Sequence, residues 1–209
     1  MKLLFPSVIH EVSIPNYKSI KDDLMRFVYQ ERAKDPKGVK FSNMGGWQSQ
    51  PTYNTDENIL IKTISSALIP YFSDNVFDMR KGIRYEGLWI NINKRGDYNM
   101  AHDHPNSHMA GVFWINTPKN SGTLNFRSPH SFDAGMEMMM YTEKFKDKSM
   151  AYPDYGALPR EGTILTFPSS LMHMVTTSES DEDRISASFN LGFSFPEGSH
   201  PEITQQNQR

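Results

Sequence analysis

The sequence predicts a mainly β protein, a sandwich or jelly roll, with two helices ahead of it. Two observations carry this. From about Met79 onward, apolar residues alternate in six short runs, Ile83–Asn93, Met109–Asn116, Gly122–Arg127, Gly162–Phe167, Met172–Thr176 and Arg184–Phe195, punctuated by Gly, Pro and Asn. Before that point, apolar residues recur at helical spacing in two segments. No internal repeat or linker interrupts the 209 residues, so one domain is expected, with 1–78 supporting, 79–197 the β core and 198–209 a frayed tail.

Each element has a local reason. Leu3–Ile14 reads as an extended lead-in. Asn16–Ala33 reads as an amphipathic helix, because Ile20, Leu24, Phe27 and Val28 share one face. Asp35-Pro36-Lys37-Gly38 stops it. Lys40–Thr52 is polar, with Gly45-Gly46 and Trp47, and reads as loop with short strand pieces. Thr55 or Asp56 is a candidate cap for a second helix, whose buried stripe is Leu60, Ile64, Leu68 and Phe72 and whose end Pro70 weakens. Both helices would pack outside one sheet. Ser131–Pro159 departs from the alternation, and its methionine cluster reads as core or helix filling, or as a flap over a site.

Bulk properties narrow the function. A net charge of −2 gives no electrostatic case for nucleic acid or a membrane surface. No apolar run reaches the ~20 residues of a membrane span. The N-terminus lacks the apolar core and cleavage site of a leader, so a cytoplasmic protein is expected. Cysteine is absent, which excludes disulfides, thiolate metal sites and a Cys nucleophile. Any metal would be held by His and carboxylate, ligands that suit Fe(II), Zn, Mn or Ni. A homodimer through the methionine-rich insertion is one expectation for assembly.

The chemistry-bearing residues lie in two stretches. His102 and His104 are two apart, so in a strand they project from one face, with Asp103 opposite and Pro105 ending the run. His173 follows a separate strand and a Pro-Ser-Ser turn, and in a jelly roll it can return beside the first pair. Arg184-Ile185-Ser186 reads as strand, which places a guanidinium and a hydroxyl on one face, a cradle for a carboxylate. His173 and Arg184 are expected on neighbouring strands joined by the acidic turn Ser178–Asp183, to which Arg184 could alternatively form a salt bridge. A keto acid would then chelate a metal at one end and be clamped at the other. His10, His108, His130 and His200 read as ordinary surface or core histidines.

With these residues in view, the chain resembles the 2-oxoglutarate/Fe(II)-dependent oxygenases, and within them a bacterial and phage group with prolyl-hydroxylase-like features. The resemblance rests on Trp89-Ile90-Asn91-Ile92-Asn93, Asn99, His102-Asp103-His104-Pro105, Gly111–Pro118, Ser121–Phe126, Phe167–Val175 and Arg184–Asn190, within about Ile83–Phe195. It implies a double-stranded β-helix fold and a hydroxylase that uses Fe(II), 2-oxoglutarate and O2. Carried over by position, His102, His104 and His173 are the catalytic metal ligands, and Arg184 with Ser186 binds the far carboxylate of 2-oxoglutarate. Trp89, Asn91, Trp114 and Asn190 are candidates for lining the same cavity. By strand parity, Trp89 and Asn91 share a face, as do Ser186, Ser188 and Asn190. The departure is His104, where most of the superfamily has a carboxylate; Asp103 could replace it only if a bulge turned it inward. Two other classes share these residues: a cupin-like three-histidine metalloprotein without a keto acid, and a non-catalytic β-sandwich. The substrate expected from the resemblance is a small molecule or a peptidyl residue.

Overall fold

The computed structural model describes residues 6–53, 58–77, 82–130, 140–150 and 152–194. Two antiparallel sheets face each other. The larger contains β1 (His10–Ser13), β3 (Trp47–Gln48), β4 (Gly82–Asn93), β6 (Met109–Asn116), β9 (Thr163–Pro168) and β11 (Arg184–Ser194), in the order β1-β9-β6-β11-β4-β3. The smaller contains β2 (Asn43–Met44), β5 (Tyr98–His102), β7 (Leu124–Arg127), β8 (Asp154–Ala157) and β10 (His173–Val175), in the order β2-β5-β10-β7-β8. The segment Lys40–Thr52 therefore donates a short strand to each sheet. The six alternating runs all become strands within a residue or two of their expected bounds. β8, in the aperiodic insertion, was not among them.

The central strands of the larger sheet are buried on both faces. On β11, Ile185, Ala187 and Phe189 are fully covered and face the helices, α1 (Tyr17–Lys34) and α2 (Ile59–Asn75). Leu24, Val28, Leu60 and Ile64 complete that layer at 0% exposure, each contributing roughly 1.5–3 kcal/mol of burial. The opposite side of β11, carrying Arg184, Ser186 and Ser188, looks into the space between the sheets. A smaller apolar cluster there includes Val112, Trp114, Leu124, Phe126 and Phe167.

Two expectations about α2 change. Its cap is Asn58, whose side-chain oxygen accepts from the backbone N–H groups of Leu60 and Ile61, while Thr55 and Asp56 lie outside the described residues. Pro70 does not end the helix, which runs on to Asn75. Pro70 is solvent-facing, so water can reach the carbonyl it leaves unpaired one turn back. Most of the methionine cluster lies outside the described residues; Met140 is 84% exposed. The insertion also forms a short helix, α3 (Glu143–Ser149), capped by the Thr142 side chain, with no buried residue.

Candidate active site

The smaller sheet supplies the imidazoles. β10 pairs with β5 so that His173 lies opposite His102 and Val175 opposite Asn99. Two steps on β10 thus match three on β5, and the extra residue makes a bulge around Met100 and Ala101. The bulge lets Asn99 and His102, three apart, both line one cavity while Met100 points out at 45% exposure. The strand ends at His102. His104 lies beyond it, its backbone N–H donating to the Ser169 carbonyl at 2.9 Å. The pair therefore converges through a bulge and an anchored loop, not through simple strand alternation. Asp103 faces solvent.

The three rings cluster. Ring centroids are 4.4 Å apart for His102–His173, 5.1 Å for His102–His104 and 5.2 Å for His104–His173. One ring nitrogen from each lies within 4.8 Å of the others. Backbone carbonyls set the tautomers: Nδ1 of His102 lies 2.7 Å from the Met100 oxygen, and Nδ1 of His173 lies 2.8 Å from the Leu171 oxygen. A carbonyl can only accept, so both Nδ1 atoms carry the proton and both Nε2 atoms present a lone pair. Burial, then the neighbouring His102, lowers the pKa of His104 to about 4. Burial dominates at His173 too, pulling it to about 3 against the opposing backbone hydrogen bond. Both rings stay neutral at pH 7, the form a metal requires.

The facing wall comes from the larger sheet. Arg184 and His173 are not on neighbouring strands, as the sequence suggested; β10 and β11 belong to opposite sheets, and the two side chains meet across the cavity. Arg184 is 2% exposed. Its Nη1 donates to the Ser121 carbonyl, and its Nε has no partner. The acidic turn is engaged elsewhere: Asp181 with Arg95, Asp183 with Lys94 and Tyr29. Burial lowers the guanidinium to about 10, partly offset by Asp97, so it remains a cation at neutral pH. Gly122, at φ +90°, makes room for it, since a Cβ there would lie 2.8 Å from Nη1.

Cross-strand register builds the rest of the wall in rows. Ser186 pairs with Asn91 on one side and Trp114 on the other; Ser188 pairs with Trp89 and Val112. All six line the cavity. Trp114 Nε1 and Asn91 Oδ1 are buried without partners, while the Asn91 amide donates to Ser188 Oγ at 3.1 Å. Trp89 packs against His104 with centroids 5.7 Å apart. Asn190 shares the parity of Ser186 and Ser188 but is not among the lining residues; it pairs with Gly87 and Ala110, farther along β11. Among the polar lining residues, sequence reasoning assigned no site role to Ser42, Asn99 or Ser188. Asn99 had a signal in the spacing to His102, whereas Ser42, distant in sequence, had none. Of the other histidines, His10 contacts Tyr71 and His108 accepts from the Phe193 N–H, and neither lines the cavity. His200 lies outside the described residues.

The donor set fits a divalent ion of the imidazole-binding kind, and the unpartnered Arg184 Nε and Trp114 Nε1 fit an anion reaching in from it. No carboxylate lines the cavity among the described residues, so a carboxylate ligand could replace no imidazole here.

Comparison with known proteins agrees with this chemistry. The family model described as "Putative 2OG-Fe(II) oxygenase" matches residues 87–190, about half of the chain. Among solved structures, a Pseudomonas putida prolyl-4-hydroxylase aligns with TM-score 0.59 and 10% identity, over 87% of this chain and 91% of that one. The viral collagen prolyl hydroxylase of Paramecium Bursaria Chlorella virus-1, in complex with 2OG, aligns with TM-score 0.55 and 12% identity, over 89% and 96%. The carbocyclase SnoK from nogalamycin biosynthesis aligns with TM-score 0.61 and 10% identity, over 90% and 80%. At such identities the likeness speaks for the fold, a double-stranded β-helix. No curated protein sequence matches the chain. On the family match, over a stretch that contains every histidine and arginine of the cavity, the chain belongs to the 2OG-Fe(II) oxygenases, enzymes that depend on non-haem iron and 2-oxoglutarate.

Proposed function

We propose that His102, His104 and His173 hold the iron and that Arg184 with Ser186 clamps the far carboxylate of 2-oxoglutarate in a hydroxylase. The observation that carries this is a buried guanidinium with a free Nε, facing three clustered imidazoles across one cavity. When bound, Fe(II) and 2-oxoglutarate supply the oxidising chemistry: the keto acid loses CO2 to give succinate as O2 is consumed, and one oxygen atom enters a substrate C–H bond. The chain's own residues bind and orient. Nε2 of His102 and His173 would be the atoms that hold the ion, because their Nδ1 atoms are tied to backbone carbonyls. Arg184 offers a charge-assisted, directional donor, and Trp114 Nε1, one strand over from Ser186, offers a second. Val112, Leu124 and Phe167 give the cavity apolar wall, which would keep it poor in water. Trp89, packed against His104, would help hold that ring in place. Prolyl hydroxylases and a carbocyclase among the structural relatives support a small molecule or a peptidyl residue as substrate.

The test is an anaerobic titration of Fe(II)-loaded protein with 2-oxoglutarate, following the metal-to-ligand absorption band. Wild type should show the band. His173→Ala should lose it together with metal binding. Arg184→Ala should keep the metal but weaken 2-oxoglutarate by about a hundredfold, the scale of losing a buried charge-assisted contact. Metal binding without the band would favour a three-histidine metalloprotein that uses no keto acid.

A further inference from the structure

Ser42 lies outside the stretch matched by the family model, yet its side chain lines the metal cavity. Its position is built, not incidental. The neighbouring Asn43 is 4% exposed and folds the loop around itself: its Oδ1 accepts from the Phe41 N–H at 2.8 Å, and its amide donates to the Val39 carbonyl at 3.3 Å. The Ser42 carbonyl accepts from the Met100 N–H at 2.9 Å, and Asn43 pairs with Asn99, so β2 pins the loop against the bulge that aims His102.

The hydroxyl sits in a directed chain of contacts. Asn99 Nδ2 donates to Ser42 Oγ at 3.4 Å, and Ser42 Oγ lies 3.5 Å from His102 Nε2. Nδ1 of His102 is committed as a donor to the Met100 carbonyl, so Nε2 can only accept, and in the contact between them the Ser42 hydroxyl is the donor. That lone pair is the one a metal would take. Once it is taken, the proton has lost its acceptor while the Asn99 amide still occupies the Ser42 oxygen. The acceptor it can turn to is an anionic oxygen arriving beside the ligand nitrogen.

We propose that Ser42 is a positioning residue that donates its hydroxyl proton to the keto-acid end of the co-substrate, its 1-carboxylate, and so orients that end on the ion. The proposal rests on the three-imidazole site. It gives the N-terminal loop a part in co-substrate binding, opposite the Arg184 clamp at the other end of the molecule.

The experiment compares wild type, Ser42→Ala and Ser42→Thr. Mn(II) affinity is measured first, without co-substrate, by electron paramagnetic resonance. The anaerobic Fe(II) form is then titrated with 2-oxoglutarate by absorption. Ser42→Ala should raise the Kd for 2-oxoglutarate by about tenfold, the scale of one hydrogen bond to a charged group, and shift the charge-transfer band. Its Mn(II) affinity should stay within about twofold of wild type, and Ser42→Thr should recover both co-substrate readouts. An unchanged Kd and band in Ser42→Ala overturn the proposal with the oxygenase reading intact. An equal loss in Mn(II) affinity overturns it too, making Ser42 a prop for His102. A wild-type protein with metal but no charge-transfer band overturns both readings.

Discussion

At the scale of single residues, His104 sets the charge of the site. Three imidazole ligands would bring no negative charge to offset a dication, and the one charged residue lining the cavity among the described residues is Arg184. A carboxylate in place of one ring would supply the missing negative charge at contact range, where one charge pair in a partly dry cavity is worth more than about 1.4 kcal/mol. His104→Asp should therefore tighten Mn(II) binding in the absence of 2-oxoglutarate by at least about tenfold. It should also reduce how much the dianionic co-substrate strengthens the metal, which calorimetry with and without 2-oxoglutarate would measure. Equal metal affinity in the two proteins would mean that charge does not limit this centre. The histidines themselves were legible in the sequence, because their spacing and their type are local facts. The face each would take was less so, since His104 is aimed by a hydrogen bond to Ser169 and not by strand parity.

At the scale of elements, periodicity read well wherever one face is apolar. β6 falls at its expected bounds, and β4, β9 and β11 differ by a residue or so, because the side of each that meets the helices is apolar. α1 likewise follows its apolar stripe. β8 could not be read this way, since its Asp154-Tyr155-Gly156 face is exposed and only Ala157 is buried. The α2 cap moved to Asn58, a residue as suited to capping as the two preferred before it. Asn58→Ala should lower the unfolding free energy by about 1 kcal/mol, read as a shift in urea midpoint at constant m. Metal affinity should not change, because α2 packs on the side of the larger sheet away from the cavity. A loss of metal in that variant would show that the helix layer and the site are coupled.

At the scale of the whole molecule, the buried imidazoles tie stability to pH. His104 and His173 have folded pKa values of about 4 and about 3, below the ordinary 6.5. Above pH 6.5 neither the native nor the unfolded form holds these protons, so the two rings contribute no pH dependence. Below it the unfolded chain binds protons that the native protein refuses. Stability should fall as pH drops from 6.5 toward 4, by up to about 1.4 kcal/mol per pH unit for each ring. Urea unfolding of metal-free protein across that range checks this, with the His104→Asn/His173→Asn double variant expected to flatten the slope. A slope unchanged in that variant would assign the acid sensitivity to other groups.

The amino-acid sequence alone determined that alternating runs would make a β-sandwich, that helices would cover one side, and that His102, His104, His173 and Arg184 were the residues to watch. These follow from period, residue type and spacing, all of which are properties of neighbours in the chain. Only the tertiary structure decided that His173 and Arg184 face each other from opposite sheets, that a bulge at Met100–Ala101 turns Asn99 and His102 to the same side, and that Ser42 reaches Nε2 of His102. Those outcomes depend on which strands pair and in what register. One residue more or less in a strand sends a side chain to the other face, and no local pattern records that choice.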